Sequence, residues 1–78
     1  MTGKDIHNAR AKLGKLWRLG RPLYMTELGE ALRLTGRDPG ATVRLWERGS
    51  PVSGPVSVAI AAMLAGYRPD HLGEVLRD

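Results

Sequence analysis

"TELGEALRLTGRDPGATVRLWERG", residues 26–49, sets two helix-like segments on either side of a turn-forming centre. In the first, Met25, Leu28, Ala31 and Leu32 recur at intervals of three and four, the spacing of one helical face, which predicts a helix from about Met25 to Leu34. The centre, "TGRDPG" at 35–40, has turn composition. Asp38 suits an N-cap and Pro39 the first helical position. The second helix then runs to Gly49, a residue suited to ending it.

The pattern extends outward in both directions. From Thr2 to about Trp17, the residues Ile6, Ala9, Leu13, Leu16 and Trp17 form one stripe, and Thr2 with Asp5 three residues on resembles a capping box. "RLGRPLY" at 18–24 breaks the periodicity at Gly20 and Pro22 and connects to the next helix. After "SPVSGP", Pro55 opens a segment with Val56, Ile60, Met63 and Leu64 as its buried stripe, ending before Gly66. Pro69 and Asp70 start a short fifth helix containing Leu72, Val75 and Leu76. No β-type alternation or internal repeat is visible. The expected fold is all-α, a small bundle of about five short helices around Trp17, Trp46 and the aliphatics, with no Phe to share the bulky core positions.

Size and composition narrow the function. A chain of 78 residues, 42% hydrophobic, is expected to hold one domain over 1–78, in a size range where a single core is barely adequate and oligomerisation helps. With no Cys there is no disulfide framework and no thiolate metal site. The longest apolar run, Val56 to Leu64, is about half a membrane span, and the N-terminus lacks a signal-peptide layout, so a soluble cytoplasmic protein is expected. Twelve Lys and Arg against eight Asp and Glu give a net charge of +4 and a pI near 10.1. That bias points to nucleic acid first and to an anionic protein surface second.

The helix at about 39–48 sharpens this choice. With Val43 at zero and about 100° per residue, Val43 and Trp46 share one side and Glu47 lies at its edge. Ala41, Arg44, Leu45 and Arg48 occupy the opposite arc, with Thr42 between. The two arginines alone also suit an ordinary solvated face. Small, apolar and guanidinium groups together suit a major groove, where Arg pairs bidentately with guanine, Thr bonds to base or phosphate, and apolar groups touch thymine methyls.

These residues resemble the helix-turn-helix of the Cro and phage-repressor family. The Leu-small pair of that family's second helix is matched by Leu28 and Gly29. Its β-branched residue, followed by an aromatic or Leu and then Glu, is matched by Val43, Trp46 and Glu47, with Gly49 beyond and "VSGP" at 52–55 opening the next helix. The match covers roughly 26–56, with weaker agreement in "NARAKLG" at 8–14. Leu32 to Thr42 is about four residues longer than the family's tight turn, and "KLWRLGRPLY" is also extended.

The resemblance implies a lambda-repressor-like fold and a pairing of Arg10 with Glu47. At the edge of the core, Glu47 would itself favour a charged partner; a solvated Glu47 is the other reading. By projection, the base-reading positions are Gly40, Ala41, Thr42, Arg44 and Leu45, with Gly40 and Ala41 permitting close approach. Arg37, Arg48, Ser50 and Ser53 would meet the DNA backbone, although Ser53 also reads as a plain helix cap. Lys12, Lys15, Arg18 and Arg21 read as scattered surface charge.

His7 and His71, the only histidines, have no metal-pair spacing and read as surface residues. No catalytic constellation stands out, so the expectation is a non-enzyme with no cofactor, metal or evident small-molecule ligand. It is expected to bind double-stranded DNA as a sequence-specific regulator. So small a domain reads few base pairs, which predicts a homodimer on a palindromic operator with half-sites about 34 Å apart. Leu72, Val75 and Leu76, with part of the fourth helix, are dimer candidates, unless they merely close the monomer core. Lacking an effector domain, such a protein acts by occupancy, most simply as a repressor. The rival is a protein-binding module, an antitoxin-like protein or phage-type inhibitor, using the same basic face.

Overall fold

In the computed structural model, which describes residues 1–76, the chain folds as α1 (Gly3–Leu16), α2 (Met25–Ala31), α3 (Pro39–Glu47), α4 (Gly54–Leu64) and α5 (Leu72–Val75). There is no strand among the described residues, and the last two positions of the expected 1–78 domain lie outside them.

Local chemistry explains where α1, α3 and α4 begin. Thr2 Oγ1 accepts from the Asp5 N–H at 3.2 Å and Asp5 accepts from the Thr2 N–H at 2.8 Å, so both arms of the capping box start α1. Hydrogen bonding by the Thr2 backbone N–H, and after it by the Thr2 side chain, holds the Asp5 carboxyl below its usual pKa. Asp38 accepts from the Ala41 N–H at 3.2 Å to start α3, with Pro39 at the first position. Ser53 Oγ accepts from the Val56 N–H at 3.4 Å to start α4.

The first four helices end alike. At the ends of α1, α2, α3 and α4, the residues Arg18, Arg33, Gly49 and Gly66 take positive φ of 58°, 56°, 116° and 118°. The following N–H groups, of Leu19, Leu34, Ser50 and Tyr67, reach back to the carbonyls of Gly14, Gly29, Leu45 and Ala62. This is the Schellman closure, which satisfies carbonyls that a helix end leaves open. In α2 it acts early: the helix stops at Ala31, three residues before the expected Leu34, because Arg33 turns left-handed.

One core joins all five helices through Ile6, Leu13, Leu28, Val43, Ile60, Met63 and Leu72, with Trp17 and Trp46 at its margin. Two corrections follow. Leu16, expected in the α1 stripe, is exposed, at the last position of the helix. Leu23, in the expected connector, is fully buried. Its N–H donates to the Arg10 carbonyl, and its own carbonyl accepts from Arg10 Nη1, both at 3.0 Å.

α5 begins at Leu72, two residues beyond the expected start. His71, just before it, is half-buried rather than a surface residue, and its ring Nε2 lies 3.0 Å from the Glu30 carbonyl, which ties α5 to α2. Among the described residues no helix is long and apolar enough to cross a membrane.

Candidate nucleic-acid interface

α3 is held at both ends by contacts that leave one side open. At its start, α2 and α3 nearly touch: a Cβ on Gly29 would lie 2.6 Å from the Pro39 carbonyl oxygen, and one on Gly40 would lie 2.8 Å from Thr26 Oγ1. Hydrogen is the only side chain that fits at either place. At its far end, Gly3 of α1 abuts the Glu47 carbonyl, where a Cβ would lie at 2.5 Å.

A bidentate ion pair secures the same end. Arg10 Nε donates to Glu47 Oε2 at 2.6 Å and Nη2 donates to Oε1 at 3.1 Å, while Nη1 serves Leu23. Both side chains are about nine-tenths covered. With every part of the guanidinium engaged, the pair fixes the rotation of α3 against α1. His7 stands beside it, exposed, with Nδ1 at 3.5 Å from Glu47 Oε1.

The inner side of α3 is Val43 and Trp46, at 0% and 6% exposure. Its outer arc carries Arg44, Leu45 and Arg48, all exposed, with Leu45 at 52%, flanked by half-buried Ala41 and Thr42. Arg37 is exposed in the connection that leads into the helix. Among the described residues, Arg37, Arg44 and Arg48 have neither an ion pair nor a side-chain hydrogen bond. The face thus offers three uncommitted guanidinium groups around an apolar centre, and no carboxylate lies on that arc.

Not every expected contact residue belongs to this face. Gly40 is buried against Thr26, so its missing side chain serves helix packing and not a ligand. The Ser53 oxygen acts as the α4 cap. Ser50 is exposed, but its N–H is committed to the Leu45 carbonyl, which leaves only its hydroxyl. Of the dimer candidates, Leu72 is 1% exposed and lies in the core; Val75 and Leu76 are half-buried against it.

One arrangement escaped the sequence reading. Arg21, which in sequence reads as scattered surface charge, donates to Glu27 through Nη1 at 2.8 Å and Nη2 at 3.0 Å, and its guanidinium lies 3.8 Å from the Tyr24 ring centroid. Glu27 also accepts from the Tyr24 N–H at 2.8 Å, closing the start of α2. The Arg21 hydrogen bonds hold the Glu27 carboxyl below its usual pKa against the opposing effect of burial. A signal was present: Glu27 stands three residues after Tyr24, the capping-box interval.

On the rest of the surface, Lys12, Lys15 and Arg18 are exposed, and no Asp or Glu occurs between Asp5 and Glu27. The chain matches no protein-family model, no curated protein and no solved structure.

Proposed function

We propose that the chain is a sequence-specific DNA-binding regulator, with α2 and α3 acting as a helix-turn-helix and α3 lying in the major groove. The observation that carries this is the outer arc of α3, where Arg44 and Arg48, without a partner among the described residues, flank exposed Leu45 on a helix whose position is fixed by Gly29, Gly40 and the Arg10–Glu47 pair. Pre-set backbone and uncommitted guanidinium groups are what direct base readout needs.

In this reading Arg44 and Thr42 hydrogen-bond to base edges, and Leu45 and Ala41 meet thymine methyls. Arg48, Arg37 and the Ser50 hydroxyl hold phosphates and set the register. Two copies on a two-fold site give the length of sequence that one short helix lacks. Regulation then follows from occupancy, as steric repression of the promoter beneath.

Selection of bound fragments from a random duplex pool tests the reading directly. The expected product is a palindromic motif with half-sites about one helical turn apart, bound with an affinity whose logarithm falls as log salt rises. Recovery of no enriched motif would overturn it. A module that binds an acidic protein would also lose affinity in salt, yet would show no preference among duplexes.

A further inference from the structure

No residue from Gly49 to Tyr67 is charged, in a chain where 26% of residues are. α4 occupies the middle of that stretch. Ile60 and Met63 face the core, while the opposite side is open: Val58 is 70% exposed, with Ala61, Ala62 and Ala65 exposed around it and Tyr67 58% exposed beyond the helix end. A helix that is apolar on all sides is ordinarily covered on all sides. Beside this ridge runs a groove of about 420 Å³, where Ala59, Ala62, Met63 and Tyr67 face Arg33 and Asp70. Arg33 and Asp70 are both exposed, with no side-chain partner among the described residues.

We propose that this face receives a second copy of the chain, α4 against α4 across a two-fold axis. Charge selects the occupant. Two copies at +4 each repel wherever their basic surfaces meet, and the uncharged strip is where they can approach. A nucleic acid or an acidic protein would find no cation on the ridge, and in the groove only Arg33 with Asp70 beside it, which leaves no net counter-charge.

A two-fold contact needs one patch complementary to itself. Here a ridge adjoins a groove and a cation adjoins an anion, so rotation sets Val58 toward the facing groove and Arg33 toward the partner subunit's Asp70. The alanines let the helix axes come to about 8 Å, the close end of helix packing. One helix face covers less than the roughly 800 Å² per partner of a standard interface. The dimer is therefore weak in solution and is tightened when both copies sit on one duplex.

This deepens the regulator reading and rests on it only in that a two-fold operator needs two copies. Sedimentation equilibrium of the full chain without DNA, from micromolar to millimolar, tests it. The mass is expected to rise from that of one 8.5 kDa chain toward that of two. Val58→Glu and Ala62→Glu, both at exposed positions, are each expected to move the midpoint at least tenfold higher in concentration, with the far-UV circular dichroism unchanged.

Because the chain has no cysteine, Val58→Cys introduces a single thiol. It is expected to form a disulfide-linked dimer on mild oxidation, whereas Lys15→Cys is not. A monomer at every concentration overturns the proposal, as does a midpoint indifferent to both Glu variants or Lys15→Cys linking as readily as Val58→Cys. A monomer that still enriches a half-site motif would leave the DNA reading in place.

Discussion

α3 and α4 are built alike and finished differently. Each starts on a side-chain cap with Pro in the first two positions, Asp38 with Pro39 and Ser53 with Pro55. Each buries an apolar line, Val43 with Trp46 and Ile60 with Met63, and each ends on a left-handed glycine. The outward sides diverge: α3 shows Arg44, Leu45 and Arg48, and α4 shows Val58 among alanines. Caps, core line and terminator make the helix, so the outward side is left free to suit what it meets. On our reading, that is a polyanion for α3 and another copy for α4.

The buried lines should be equally indispensable. Trp46→Ala and Ile60→Ala each remove a large, nearly inaccessible side chain, and are expected to cost about 3–5 and about 2–5 kcal/mol respectively in chemical denaturation. In a domain this small, such a loss takes most of the available stability. A cost under about 1 kcal/mol for Trp46→Ala would mean that α3 is not seated on the core as described.

The glycines separate the two helices next. Gly29→Ala drives a methyl into the Pro39 carbonyl, and Gly40→Ala drives one into Thr26, whereas a Cβ at Gly54 in α4 meets nothing within 4 Å. The first two are expected to cost about 1–3 kcal/mol each, because backbone must shift, and to weaken DNA binding by displacing α3. Gly54→Ala should leave the melting temperature unchanged or raise it slightly. A neutral Gly29→Ala would remove the case for a close α2–α3 crossing.

These examples show what the sequence made legible. Signals confined to a few neighbours read correctly: the Thr2–Asp5 capping box, the Asp38 cap, and the Val43–Trp46 line. The Arg10–Glu47 pair spans 37 positions, beyond any periodicity, and was reached through the family resemblance and Glu47's place at the core edge. Gly40 reads as room for a ligand because a glycine in sequence does not say which neighbour crowds it. The early end of α2 is not legible because a left-handed Arg has no compositional mark. The burial of Leu23 is not legible because a connector with Gly20 and Pro22 carries no period.

Substitutions on the outward side of α3 should act on binding and spare stability. Arg44→Ala is expected to cost about 1–3 kcal/mol on the selected site and to relax preference at one base position. Arg48→Ala should weaken all duplexes alike and lower the salt slope by about one. Both should leave stability within about 0.5 kcal/mol of the parent, since neither side chain has a partner among the described residues. Equal loss on every sequence from Arg44→Ala would move it from reading bases to holding phosphates.

The helix ends offer the finest distinction, because α3 and α4 close on Gly49 and Gly66 at φ of 116° and 118°, where α1 and α2 close on Arg18 and Arg33 at 58° and 56°. A side chain there costs about 1–2 kcal/mol in the folded state, of which about 0.4–1 kcal/mol returns through a less flexible unfolded chain. At 116° and 118° the glycines lie beyond the left-handed region open to a side chain, so Gly49→Ala and Gly66→Ala should each destabilise by at least about 1 kcal/mol. The reverse changes, Arg18→Gly and Arg33→Gly, should stabilise by less, because an arginine beyond a helix end also gains about 0.3–1 kcal/mol from the carbonyl dipoles it faces. Urea midpoints of the four variants at low and high salt check both steps. Salt should widen the gain from Arg→Gly while leaving the Gly→Ala loss fixed. If the Arg→Gly variants proved less stable than the parent at high salt, the left-handed arginines would be held by contacts other than the helix dipole.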